Sequence, residues 1–172
     1  MTVRASWLVG ALLACVTVGS AAADDGAGTL ADCAARHLPG DPAAAEAACI
    51  GRISGPCLSG EAAPTTLGMI DCLGAESAAW VALMTRDRPG LMAAARRMDA
   101  ANDVAALNLP SFAEAEREAQ RRWRAWREAE CAARRAAWGA GSHGRVVAAE
   151  CWLRLTAERA LALRSRLMEM PR

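Results

Sequence analysis

The sequence lacks lysine and tyrosine, and it contains one phenylalanine and two histidines among 172 residues. All the positive side-chain charge apart from histidine therefore comes from arginine. β-branched residues are sparse after residue 30, which disfavours a sheet protein, because strands are enriched in β-branched and aromatic residues. Alanine is abundant and favours helix. The composition predicts an all-α fold whose large core groups are Trp, Leu and Met, and the length suits one domain, or one domain plus an appendage.

Signatures of catalysis and of metal binding are also lacking. There is no G-x-S-x-G motif, and His143 in a Gly-rich turn is the best lone candidate for a general base. Glu128 and Glu130 point to different faces of a helix because they are two residues apart. The cysteines form no CxxC, and only His37 and His143 are present to complete a zinc site. We expect no enzyme activity, no catalytic residue, no cofactor and no metal.

Residues 1–23 have the pattern of an export signal. One charge precedes an apolar run, Trp7 to Val18, that is too short to remain as a membrane span. Small residues ending at Ala23 fit a cleavage site. A lipobox that ends at Cys15, with a lipid anchor on that cysteine, is the disfavoured alternative, since apolar residues follow it. We expect soluble export to the periplasm or the medium, and no later membrane span.

Six cysteines remain after residues 1–23, and an even number is typical of an oxidising compartment. Cys33 and Cys49 lie eight residues on either side of Asp41, so an antiparallel hairpin would bring them together. Cys57 with Cys72 is then the preferred second pair. The alternative of 33–57 with 49–72 stays open, because Cys49 and Cys72 also flank the intervening loop symmetrically.

The first half of the chain is predicted to contain four helices. Leu30 to Leu38 and Pro42 to Ile53 form a hairpin, and an irregular loop follows at 54–66. A helix from Leu67 to Asp87 comes next, and another runs from Pro89 to about Leu107. The large residues on one face of the third helix are Met69, Leu73, Trp80, Leu83 and Met84.

The strongest helical pattern begins at Ser111, which with Glu114 forms a capping box. Apolar and small residues then recur at steps of three and four, which predicts an amphipathic face. We interpret Trp123 and Trp126 on that face as core groups rather than as a platform for a ligand. The predicted face consists of Phe112, Ala115, Ala119, Trp123, Trp126, Glu130, Ala133 and Ala137.

A Gly-rich turn at 139–144 separates this helix from the last one, with Ser142 as a candidate N-cap. Cys131 and Cys151 lie ten residues on either side of Gly141. A bridge between them closes a loop of about 20 residues, which contributes on the order of 3 kcal/mol in the chain-entropy model. The sequence thus predicts a small disulfide-stapled helical bundle with a C-terminal antiparallel helical hairpin.

The order and spacing of residues in this hairpin form a recognisable pattern: AQ-x-x-W, an aromatic, R-[DE]-A-x-C, a GS turn, then Cys and L-T-x-x-R. The residues that carry it are Ala119-Gln120, Trp123, Trp126, Arg127-Glu128-Ala129-Glu130-Cys131, Gly141-Ser142, Cys151 and Leu155-Thr156-Ala157-Glu158-Arg159. In this pattern the chain resembles the LprI-like family of lysozyme inhibitors. Upstream, Thr85 and Arg88 stand where the family has Asn and Tyr.

The resemblance implies an LprI-like helical domain at 67–172, preceded by a Cys-containing hairpin and loop at 24–66. It also implies an exported binding protein that inhibits lysozyme by steric occlusion of its cleft. On physical grounds the matched residues are structural, because charged groups near a core must be paired. Arg127, Glu128 and Arg159 are expected to form a buried polar network across the hairpin. Ser142 and Thr156 are two further structural residues of the motif.

Charge is distributed unevenly along the chain. Residues 24–120 hold 7 arginines and 14 acids, whereas residues 121–172 hold 12 arginines and 5 acids. The two halves can neutralise each other when packed, or one face can meet a charged partner. Nucleic acid is disfavoured for a neutral exported chain. The acidic half, with the loop at 54–66 or the turn at 139–145, is the predicted contact for lysozyme, and the alternative is an envelope interaction or assembly module with another partner.

Overall fold

The computed structural model describes residues 17–39, 41–61 and 65–170. Within these residues the chain is all-α and contains no strand, which confirms the predicted fold class. Most of the expected export signal, including Cys15, lies outside the described residues. The six helices are α1 (Thr17–His37), α2 (Pro42–Cys49), α3 (Ser54–Leu58), α4 (Thr66–Ala101), α5 (Phe112–Ala136) and α6 (His143–Glu169).

Helix α4 is the centre of the bundle and packs chiefly against α6 and α1. Its predicted apolar face is confirmed, since Trp80 and Leu83 are fully buried in a core shared with α1 and α6. Gly26 permits the close packing of α1, because a Cβ at this position would lie 2.8 Å from Cβ of Ala79. The first and last helices are thus held together through α4.

The predicted helix break at Pro89 is wrong, because α4 continues through this residue to Ala101. Proline removes one backbone donor and crowds the preceding turn. Packing on both sides outweighs that cost: Leu83 is buried before the proline, and Met92 and Ala95 are buried after it. The helix also ends earlier than the predicted Leu107.

The N-terminal hairpin forms as predicted, although α1 begins at Thr17 and α2 ends at Cys49 rather than Ile53. Asp41 caps α2 by accepting a hydrogen bond of 2.9 Å from the backbone N of Ala43. Gly51 follows α2 with a φ of +89°, a conformation that glycine adopts at little cost. This turn ends α2 early and leads into the single-turn helix α3.

The three disulfides join Cys33 to Cys49, Cys57 to Cys72, and Cys131 to Cys151. Their Cα–Cα distances are 5.8, 5.6 and 5.5 Å, within the ordinary range for a bridge. These are the pairs that the sequence favours, and the alternative that links Cys33 to Cys57 is not formed. The bridges connect α1 to α2, α3 to α4, and α5 to α6.

By length and composition alone, α4 could cross a membrane, contrary to the expectation of no later segment of this kind. A core helix of a soluble bundle gives the same signal, and in this structure α4 has the core position. Leu73, Trp80 and Leu83 on this helix are buried against protein.

The buried face of α5 differs from the predicted one. Trp126 has 51% of its surface exposed, and Trp123 is only partly buried, so the interpretation of both as core groups is wrong. The buried face of α5 is determined by its contact with α6, which presents polar side chains to it. The spacing of apolar residues cannot predict a contact of this kind. The buried residues of α5 are Ala113, Glu116, Gln120, Arg127 and Cys131.

The turn between α5 and α6 contains the expected glycines, and Gly139 has a φ of +57°. Ser142 occupies the N-cap position of α6, but its backbone is helical and its side chain makes no capping hydrogen bond. The predicted capping role of Ser142 is therefore wrong. A side-chain cap requires an extended backbone at this position, which Ser142 does not have.

Candidate functional site

A buried carboxylate on α4 holds the turn between α2 and α3 in place. Glu76 is fully buried, and its Oε1 accepts hydrogen bonds from Gly51 N at 2.7 Å and Trp80 Nε1 at 3.1 Å. Its Oε2 accepts from Ile53 N at 3.0 Å, Ser54 N at 2.7 Å and Ser54 Oγ at 2.8 Å. No motif in the sequence singles out this residue. The only signal was a lone acid one turn before Trp80 on an apolar helix.

The surface around this segment is acidic. Between residues 24 and 71, seven exposed acids face only two exposed arginines, Arg36 and Arg52. We call this stretch of α1, α2, α3 and the start of α4 the acidic segment. Leu67, which is 61% exposed, adds an apolar side chain beside it. The exposed acids are Asp24, Asp25, Asp32, Asp41, Glu46, Glu61 and Asp71.

The matched motif residues lie mainly between α5 and α6. The Arg127 guanidinium carbon is 4.6 Å from the ring centroid of Trp123 and 4.0 Å from that of Trp152. Its Nη1 donates a hydrogen bond of 2.7 Å to Thr156 Oγ1. Burial lowers the pKa of Arg127, but a guanidinium starts so high that it stays charged at neutral pH. The structure thus brings Arg127 of α5 against Thr156 of α6.

A second arginine of the motif, Arg159, belongs to an ionic network. Its Nη2 lies 3.2 Å from Glu116 Oε1, and its Nε donates to Gln120 Oε1 at 3.0 Å. Glu116 also pairs with Arg166. Glu128, the predicted acid of this network, is exposed on α5, so that part of the prediction is wrong. Glu116 takes its place because it lies one turn before Gln120 on the buried face.

The start of α5 is capped from the end of α4. Asp99 accepts hydrogen bonds from Ser111 Oγ at 2.7 Å, Phe112 N at 2.7 Å and Ala113 N at 3.1 Å. The hydrogen bond from Ser111 is the main cause that lowers the pKa of Asp99. Ser111 Oγ in turn accepts from Glu114 N at 3.2 Å, as expected of an N-cap. This carboxylate was not identified from the sequence because its partners are more than ten residues away.

The described cysteines and His143, which are the side chains most suited to catalysis, make disulfides or a ring contact. All six cysteines of the described residues are in disulfides. The ring of His143 lies 4.6 Å from that of Trp138 in an edge-on contact. Within residues 17–39, 41–61 and 65–170, no group of three His, Cys, Asp or Glu side chains could hold a metal ion. The arrangement offers surfaces for binding.

Comparison with known proteins agrees with this architecture. The family described as "Lysozyme inhibitor LprI" matches residues 57–163, more than half of the chain. The matched stretch runs from the first cysteine of the Cys57–Cys72 bridge through α4, α5 and most of α6. No curated protein and no solved structure matches the chain. The chain belongs to the LprI family of lysozyme inhibitors.

Proposed function

We propose that this protein is exported, binds lysozyme and inhibits it by covering the cleft in which the polysaccharide is cleaved. Membership of the LprI family supports the proposal that this protein binds and inhibits lysozyme. That family consists of inhibitors rather than enzymes, and the three disulfides indicate an oxidising compartment. The choice of the acidic segment as the contact surface is our inference from its charge.

Charge supports the acidic segment as the contact. Animal-type lysozymes are basic, and they cleave the sugar chain with two carboxylates inside a groove. An inhibitor needs only a complementary surface that denies the polymer access to these groups. The excess of exposed acids between residues 24 and 71 would accelerate encounter with a basic partner and orient it.

The order of the adjoining loop also supports this surface. Glu76 and the Cys57–Cys72 bridge fix the stretch from Gly51 to Cys57, so little conformational entropy would be lost there on binding. Leu67 offers an exposed apolar contact at the same end of α4. The turn at 139–145 is the weaker candidate, because Arg135 and Arg145 near it are exposed and would repel a basic partner.

The test is the lysis of bacterial cell walls by lysozyme in the presence of oxidised protein that begins at Asp24. We expect lysis to slow as the molar ratio rises, and the effect to weaken between about 0.02 M and about 0.3 M salt, where exposed charges are screened. A variant with Asp25→Asn, Asp32→Asn and Asp71→Asn should inhibit less well. The matched control neutralises three exposed or partly exposed acids elsewhere: Glu114→Gln, Glu150→Gln and Glu158→Gln.

Three outcomes separate the proposals. Undiminished lysis at a large molar excess of folded protein would rule out inhibition. Equal loss of inhibition in the acidic-segment variant and in the control would place the contact elsewhere. Recovery of a different envelope protein from extracts, together with undiminished lysis, would favour the alternative of an interaction or assembly module.

A further inference from the structure

A cleft of about 400 Å³ opens between α4, α5 and α6, and no residue of the acidic segment lines it. Its apolar lining includes Met84, Leu91 and Met92 from α4 and Leu163 from α6. Leu91, Met92 and Leu163 are buried, so they form the floor rather than the rim. The volume lies in the range of about 300–1,000 Å³ that is typical of small-molecule sites.

The charged lining of the cleft contains more arginines than carboxylates. Four arginines line it, Arg88, Arg117, Arg124 and Arg127, and none of them forms an ion pair with a carboxylate among the described residues. Two carboxylates also line the cleft, but each is paired with an arginine outside the lining. Asp87 pairs with Arg164 at 2.6 Å, and the pairs of Glu116 are with Arg159 and Arg166.

Arg127 is the innermost of these arginines, and only 9% of its surface is exposed. The rings of Trp123 and Trp152 lie close to the guanidinium, and Thr156 accepts a hydrogen bond from Nη1, which leaves the Nε–Nη2 edge for a ligand. Nε is buried and has no hydrogen-bond partner among the described residues. Exposed Glu128 interacts electrostatically with Arg127 but forms no ion pair with it. A buried cation without a directly paired anion is costly, so a ligand that supplies the anion would stabilise this group.

We propose that this cleft binds a small amphipathic carboxylate. Its apolar body would lie on Met84, Leu91 and Leu163, and its carboxylate would bind the Nε–Nη2 edge of Arg127. A planar carboxylate matches two parallel N–H donors on one edge of a guanidinium, which an alcohol or an amine cannot do. Arg88 and Arg124 at the exposed rim would attract the anion without selecting its shape.

This site goes beyond lysozyme inhibition and does not depend on it. The cleft is lined by residues from Val81 onward, whereas the acidic segment ends at Asp71. Thr85 and Arg88, the two positions where the upstream sequence departs from the family pattern, both lie in the lining. The departure therefore falls in the cleft and changes its rim, rather than the acidic segment.

The experiment is isothermal titration of the full oxidised chain with sodium decanoate below its micelle concentration, compared with decanol and decylammonium. We expect saturable binding of one decanoate, with decanol and decylammonium at least about tenfold weaker, as the loss of a charged hydrogen bond predicts. Trp123 lines the cleft, so tryptophan fluorescence should change with the same midpoint.

Variants then assign the site. Arg127→Gln should weaken decanoate binding about tenfold or more but leave decanol binding unchanged. Met92→Trp should block the binding of both decanoate and decanol, because the larger side chain fills the floor of the cleft. This variant keeps Arg127, so it tests the site even where Arg127→Gln does not fold. Arg145→Gln, an exposed arginine near the start of α6, is the matched control. Equal affinity for decanoate and decanol, unchanged decanoate binding by folded Arg127→Gln or Met92→Trp, or no binding at all would each overturn the proposal.

Discussion

Replacing Glu76 by glutamine should destabilise the protein severely, although the two side chains have nearly the same shape. Each carboxylate oxygen of Glu76 accepts hydrogen bonds: two at Oε1 and three at Oε2. An amide has a single acceptor oxygen, and its NH₂ group can only donate. In Glu76→Gln, the NH₂ must face either Gly51 N and Trp80 Nε1 or the donors of Ile53 and Ser54.

The less damaging orientation places NH₂ at the Oε1 position and leaves two donors unpaired. Each buried donor without a partner costs about 1–3 kcal/mol, so the expected loss is about 2–6 kcal/mol in the free energy of unfolding. The other orientation opposes NH₂ to two backbone donors, and only the Ser54 hydroxyl can rotate away. Since small domains are stable by about 5–15 kcal/mol, this loss would be a large share of the total.

The measurement is urea unfolding followed by circular dichroism with the disulfides intact. Glu150→Gln, at an exposed site, is the matched control and should change stability by no more than about 0.5 kcal/mol. A Glu76→Gln protein within about 1 kcal/mol of the wild type would refute the reasoning, because the five contacts could then not depend on a carboxylate. Proteolysis between Gly51 and Leu58 should also accelerate, since Glu76 holds this segment.

Two further predictions concern the interface of α4 with α5 and the tryptophans. The hydrogen bond from Ser111 lowers the folded-state pKa of Asp99. The stabilising effect of this carboxylate is therefore complete above its unfolded-state pKa of about 4, and it is lost as the pH falls through the folded-state pKa. The stability difference between wild type and Asp99→Asn should therefore shrink in acid, and a constant difference would contradict this. Trp126→Ala should change stability by no more than about 0.5 kcal/mol, whereas Trp80→Ala should cost about 3–5 kcal/mol. A similar loss for the two variants in thermal unfolding would show that Trp126 is also a core group.

Much of the architecture could be predicted because it depends on local signals. Turn residues around Asp41 and Gly141 place cysteines symmetrically, and the bridges Cys33–Cys49 and Cys131–Cys151 follow from that symmetry. Pro89 was misleading because a proline penalty of about 3 kcal/mol is local, whereas the packing that outweighs it involves distant helices.

The interior polar contacts could not be predicted in the same way. On α5 the apolar period points to Trp126, yet the helix buries Glu116 and Arg127. Burial of a charge is decided by its partner across the interface, and Arg159 is 43 residues from Glu116 in the sequence. Glu76 is a similar case, because three of its five donors are backbone N–H groups, which a pattern of side chains does not reveal. A sequence pattern gives the chemistry of each side chain, whereas the burial of these polar groups depends on their partners in the folded structure.

The family match and the acidic segment overlap only in part, and this bears on where inhibition resides. The match begins at Cys57, so Glu61 and Asp71 lie within it, while the acids of α1 and α2 precede it. If the family's shared architecture makes the contact, Glu61→Gln with Asp71→Asn should weaken inhibition more than Asp25→Asn with Asp32→Asn. If long-range attraction dominates, the two double variants should lose similar amounts of inhibition, because each removes the same charge from one surface. Both losses should then become smaller as the salt concentration rises.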